Sequence, residues 1–163
     1  MTVAKPSFVY VTYIATTPQK VWQALVDTDV MRQYWVGPSG ECARVNVSDW
    51  KPGSRWEHQR DDPTRIVDIV GKVVESNPPR RLVITWARPA EADDEAKHSR
   101  VSFDIEPHRD GLVRLTVSHE ELERDPGMLS NISGGWPMVL SNLKTLLETG
   151  RPLPRLAPSS GSQ

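Results

Sequence analysis

The chemistry this chain could perform rests on its four histidines and six tryptophans. His119 closes an alternating segment, Leu112 to Leu122, in which Val113, Leu115, Val117 and His119 share one side and Arg114, Thr116, Ser118 and Glu120 the other. Side chains alternate across a strand, so His119 is expected to face inward, at the wall of any cavity the fold encloses. An imidazole there could orient a ligand carbonyl or exchange a proton near neutral pH. The commoner fate of so buried a polar group is to be a core histidine satisfied by backbone or a hydroxyl. The same alternation places Ser54, Trp56 and His58 on one face of a second strand and Leu82, Ile84 and Trp86 on one face of a third. His58, His119 and a carboxylate could imitate a metal site, yet no His-rich motif with ligand spacing occurs, and neither a metal nor another cofactor is expected. His98 and His108 adjoin loop-like segments and are expected to be solvated.

Flat apolar ligands suit indole walls. Trp35, Trp50, Trp56, Trp86 and Trp136 are therefore candidates for a cavity wall or its rim, although core packing explains any single tryptophan more often than ligand contact does. Trp22, at helical spacing with Leu25, reads as core. There is no Gly-rich phosphate loop, no Gly-x-Ser-x-Gly elbow and no Cys/His pairing with supporting spacing, so no catalytic residue is assigned and hydrolase or kinase chemistry is not expected.

Elements that could position these residues follow from periodicity and punctuation. Phe8 to Ile14 is aromatic or β-branched throughout, which predicts a strand buried on both faces or central in a sheet. Thr16, Thr17 and Pro18 open a short helix carrying Val21, Trp22 and Leu25; Asp27 and Asp29 cap a second one through Met31 to Trp35, which Gly37-Pro38 ends. Strands follow at Glu41 to Val47, Ser54 to Arg60, Arg65 to Ser76, Leu82 to Ala87, Arg100 to Glu106 and Leu112 to Leu122. Their turns fall at Lys51-Pro52-Gly53, Asp61-Asp62-Pro63, Asn77-Pro78-Pro79 and Arg109-Asp110-Gly111. The stretches Arg60 to Arg65 and Glu91 to Glu95 read as solvated loops. After Asp125-Pro126-Gly127, residues Trp136, Val139, Leu140, Leu143, Leu146 and Leu147 recur at helical spacing, with Pro137 in the first turn and Gly150 then Pro152 as the stop. The result is an α+β chain: a curled antiparallel sheet of about six or seven strands around one long C-terminal helix, with two short helices after strand one. A sheet curled in this way encloses space that the helix need not fill.

The length of 163 residues suits one domain, read as 1-150, followed by a Pro/Ser-rich tail, 151-163, expected to be disordered. A formal net charge of -1 supplies no field to recruit nucleic acid. Cys42 is the single cysteine, which precludes an intrachain disulfide and points to a reducing, cytoplasmic compartment. Met1 to Ser7 lacks a signal-peptide core, and no apolar run approaches the ~20 residues of a membrane span.

Several phrases are similar to one known family. They are Tyr13-Ile14 with Thr17-Pro18 and Val21-Trp22-Gln23-Ala24-Leu25; Tyr34-Trp35; Ser48-Asp49-Trp50 with Pro52-Gly53-Ser54; and Pro78-Pro79-Arg80-Arg81-Leu82 with Thr85-Trp86. Towards the carboxyl end they are Thr116-Val117-Ser118-His119, Gly135-Trp136-Pro137, Leu143-Lys144 and Leu147-Glu148-Thr149-Gly150. In these the chain resembles the START-like (SRPBCC) superfamily, in the branch of the activator of the heat-shock protein 90 ATPase. The resemblance implies a helix-grip fold with a cavity between sheet and helix, and it transfers no catalytic signature. The expected function is binding of a hydrophobic lipid-, acyl- or polyketide-like molecule by Trp35, Trp56, His58, Trp86, Phe103, His119, Trp136, Leu140 and Leu143. The alternatives are a cyclase- or aromatase-like enzyme using the same cavity, with His119 as acid/base, and a co-chaperone-type interaction module with a chaperone as partner.

Overall fold

The computed structural model describes residues 5–36 and 42–154. The strand-forming residues at the amino end make β1 (Phe8–Ile14). Thr17 caps α1 (Pro18–Val26), its hydroxyl accepting from the Lys20 N–H while Pro18 occupies the first turn. Asp27 then serves two helices. Its N–H donates to the Gln23 carbonyl to close α1, and its carboxylate accepts from the Asp29 N–H to open α2 (Thr28–Tyr34). The proposed stop at Gly37-Pro38 and strand start at Glu41 lie outside the described residues.

A meander follows: β2 (Arg44–Ser48), β3 (Arg55–Arg60), β4 (Val67–Asn77), β5 (Arg81–Trp86), β6 (Ser99–Arg109) and β7 (Leu112–Glu120), all neighbours antiparallel. Because β1 pairs with β7, the seven-stranded sheet has the order β1-β7-β6-β5-β4-β3-β2. It curls around α3 (Met128–Thr149), whose buried Ile132, Trp136, Val139, Leu140, Leu143 and Leu146 meet Leu82, Ile84, Phe103, Leu115 and Val117 in one core. This is the helix-grip arrangement. Asn142, buried within α3, donates to the Tyr34 carbonyl at 2.7 Å and accepts from the Leu153 N–H at 2.7 Å. One side chain thus ties α2 and the first residues after α3 to the helix. The rest of the tail expected to be disordered, 155–163, lies outside the described residues.

Three expectations change. The first strand is not central: β1 is an edge, with Val9 59% and Val11 48% exposed. Its residue types report β propensity, and propensity does not report how many neighbours a strand has. The α3 helix covers part of the open edge, since Lys144 donates to the Tyr13 carbonyl and Glu148 accepts from the Ala15 N–H at 2.8 Å. The second change is at α3, which starts at Met128, eight residues before Trp136, and carries Pro137 in its interior. Gly127, at φ 93, ends the preceding turn, and Met128, Ile132 and Trp136 continue one buried face at four-residue spacing. The weak helix formers Ser133, Gly134 and Gly135 hid that face in the sequence.

The third change is His98, which is buried. Its Nδ1 lies 3.0 Å from the Thr85 hydroxyl and its Nε2 lies 3.1 Å from the carbonyls of Glu91 and Ala92. Two short 3-10 turns, Pro89–Glu91 and Glu95–Lys97, fold the acidic stretch back over the ring. His108 is exposed and makes an edge contact with Tyr13. No helix among the described residues is long and apolar enough to cross a membrane.

Candidate functional site

A cavity of about 610 Å³ opens between the concave face of the sheet and the first half of α3. That volume is in the range of small-molecule sites. Four rings stand around it: Trp35 from the end of α2, His58 from β3, Trp86 from the end of β5 and Trp136 from α3. Their centroids form a closed circuit, with Trp35 to Trp136 at 5.7 Å, Trp136 to Trp86 at 5.5 Å, Trp86 to His58 at 6.3 Å and His58 to Trp35 at 5.1 Å. Ile132 and Val139 add aliphatic wall, and Arg44, Asp68 and Arg88 bring charge. The indole N–H of Trp86 is buried and finds no acceptor among the described residues.

Register explains how His58 is held. On the β2–β3 ladder His58 stands opposite Asn46, and its Nδ1 lies 2.6 Å from the Asn46 amide oxygen. That oxygen only accepts, so Nδ1 carries the proton and Nε2 is left with its lone pair. Among the described residues nothing bonds to Nε2. Burial, and next the Arg44 cation, push the imidazole down to about 4, against a smaller opposing pull from Asp68. Burial raises the Asp68 carboxyl, but hydrogen bonding and charge from Arg60, together with the Arg44 charge, outweigh it and hold the group below the usual carboxylate range. Arg60 grips Asp68 through two bonds of 3.1 and 3.0 Å, and Arg44 approaches it at 3.3 Å.

His119 occupies a different environment. It is fully buried behind Trp136, and both of its nitrogens are engaged. Trp136 Nε1–H donates to Nδ1 at 3.3 Å; Nε2 lies 2.7 Å from the Ser99 hydroxyl; and that hydroxyl donates to the Trp86 carbonyl at 3.2 Å. One protonation pattern fits every bond, with Nε2–H donating to Ser99 and Nδ1 accepting. A second proton would have to enter at Nδ1, against the Trp136 N–H. Burial pushes this ring down to about 4 as well. The chain of donors and acceptors satisfies the histidine and leaves no lone pair for a substrate.

These two rings set a pH dependence. Both are held neutral in the fold, at about 4, whereas an unfolded histidine titrates near 6.5. As pH falls the unfolded chain binds protons first, so their contribution to stability is complete above about pH 6.5 and gone by about pH 4. Urea midpoints are expected to fall steadily across that window. Imidazole NMR signals of His58 and His119 should stay neutral until its lower end, and either ring titrating near 6.5 in the folded protein would contradict the assignment.

Of the residues singled out from the sequence, Trp35, His58, Trp86 and Trp136 line the cavity. Trp56, Phe103, His119, Leu140 and Leu143 are packed behind that wall. Phe103 meets Trp136 edge-on at 5.8 Å, and Trp56 meets Trp86 at 5.4 Å. Sequence reasoning missed Arg44, Asp68, Arg88 and Ile132. Ile132 had a signal, four residues before Trp136 on the same helical face. Arg44 had none, because Arg44, Val45 and Asn46 are all buried and β2 shows no alternation. Trp50, proposed for the wall or its rim, is only partly buried and does not line the cavity.

Comparison with known proteins gives the fold a family context. The family model described as Activator of Hsp90 ATPase homolog 1-like protein matches residues 15–148. An HSP90 activator from Plasmodium falciparum has a similar structure at 17% identity, covering 86% of this chain and 95% of that one, with a TM-score of 0.66. The Aha1 dimer of Colwellia psychrerythraea is similar at 18% identity over 89% and 98% of the two chains, with a TM-score of 0.68. CalU16 from Micromonospora echinospora is similar at 19% identity over 88% and 77%, with a TM-score of 0.65. No curated protein matches by sequence.

Proposed function

We propose, because this chain belongs to the Activator of Hsp90 ATPase homolog 1-like family, that it binds a hydrophobic small molecule in the cavity between the sheet and the first half of α3. The observation that carries this reading is the circuit of Trp35, Trp136, Trp86 and His58 around about 610 Å³ of space. An open cleft of this size under aromatic walls has the dimensions and lining of a small-molecule site. The domain, residues 1-150, would act in the cytoplasm as a carrier or sensor.

A cyclase-like use of this cavity would need an acid or base other than His119, whose nitrogens are both engaged. The chaperone-directed reading leans on the name of the family and on relatives below 20% identity, whose likeness speaks to fold, and no surface feature described above supports it for this chain.

A thermal-shift screen of fatty acids, flavonoids and fused-ring aromatics tests the proposal. A ligand at a hundred times its Kd stabilises by about 2.7 kcal/mol, roughly a 5–10 °C rise in Tm for a chain of this size. The rise should vanish in Trp86→Ala. If no compound raises Tm and native mass spectrometry finds the protein empty, the ligand reading falls.

A further inference from the structure

We infer that the cavity selects planar aromatic ligands carrying a hydroxyl group, which donates its proton to His58 Nε2. The inference rests on the cavity being a ligand site and adds the chemistry of its occupant. The Asn46 amide oxygen, 2.6 Å from His58 Nδ1, fixes the tautomer and makes Nε2 an acceptor on the cavity wall. A ligand buried there without a donor would leave that lone pair unsatisfied and lose affinity.

A hydroxyl supplies that donor without adding charge. A ligand ammonium could also donate to Nε2. The Arg44 charge, which His58 senses more strongly than that of Asp68, disfavours a second cation at that place. The wall itself is aromatic: Trp35 and Trp86 pack against Trp136 at 5.7 and 5.5 Å between centroids, inclined at 60° and 48°, and a wall of indoles favours an aromatic ring system over an acyl chain.

The test is calorimetric titration of the full chain with 2-naphthol, 2-methoxynaphthalene, naphthalene and 1-naphthylmethylammonium. The expected result is that 2-naphthol binds about tenfold tighter than the methyl ether and naphthalene, the ammonium being the weakest of the four. In His58→Phe the hydroxyl preference should shrink to less than twofold while naphthalene binding persists. Equal binding of naphthol and its methyl ether to the wild-type protein overturns the inference and leaves the ligand reading standing. A preference that survives in His58→Phe also overturns it. Failure of all four compounds to bind, with no ligand found in the Tm screen, removes the ligand reading and this inference together. The wild-type series decides the matter even if the variant does not fold.

Discussion

Trp136→Ala is expected to destabilise the protein by about 3–5 kcal/mol, a large part of the stability of a domain this size, and to abolish ligand binding. The indole is 3% exposed and touches Trp35, Trp86, Phe103 and His119, so its removal opens a void at the centre of the aromatic cluster. It also removes the donor to His119 Nδ1, leaving a buried acceptor without a partner. Trp136→Phe separates the two effects. Phenylalanine keeps much of the ring area but supplies no N–H, and should cost about 1–3 kcal/mol. Urea unfolding of both variants gives the comparison, and a loss below about 1 kcal/mol for Trp136→Ala would contradict the packing described for this residue.

Gly71→Ala is the second large effect, and it arises in backbone and not in the cavity. A Cβ at Gly71 would sit 1.9 Å from the Thr85 carbonyl oxygen and 2.4 Å from Trp56 Nε1. Trp56 stands opposite Gly71 on the β3–β4 ladder and reaches across it to donate to the Thr85 carbonyl at 2.7 Å. The Thr85 hydroxyl in turn accepts from the Lys72 N–H at 2.9 Å. Side chains thus close the gap in the β4–β5 ladder between the Val70–Ala87 bridge and the Val73–Ile84 pair. A methyl group forces the strands apart or expels the indole, and neither neighbour can yield cheaply because one is backbone and the other is fully buried. The expected cost is about 3 kcal/mol or more, read from urea midpoints, with poor soluble yield as the extreme form. A fully stable Gly71→Ala would mean that this crossing of Trp56 over Gly71 is wrong.

The sequence read well where one local rule governed the outcome. Thr17-Pro18 marked the start of α1, Asp27 the cap of α2, and Leu115, Val117 and His119 the buried face of β7, all because capping and alternation are local. Reading weakened where neighbours decide. The phrase Phe8 to Ile14 could not tell that its strand pairs on one side only, since pairing partners lie a hundred residues away. His119 was placed inward correctly, but its engagement depends on Ser99 and Trp136, which come from other elements. The cavity's polar side was the least legible part. Asn46 and His58 meet through the β2–β3 register, and Arg44 and Asp68 are brought together by three strands, so no spacing along the chain announces them.

The central claim is that the ring circuit of Trp35, Trp86, Trp136 and His58 forms a ligand cavity, and the most direct test follows the six tryptophan indole N–H signals by NMR. The protein would be titrated with a medium-chain fatty acid, a flavonoid and 2-naphthol in turn. With any compound that raises Tm, the signals of Trp35, Trp86 and Trp136 should move together and saturate, while those of Trp22 and Trp50, outside the cavity, stay in place. Shifts confined to Trp22 and Trp50, or no shift with a compound shown to bind, would place the ligand elsewhere and contradict the account.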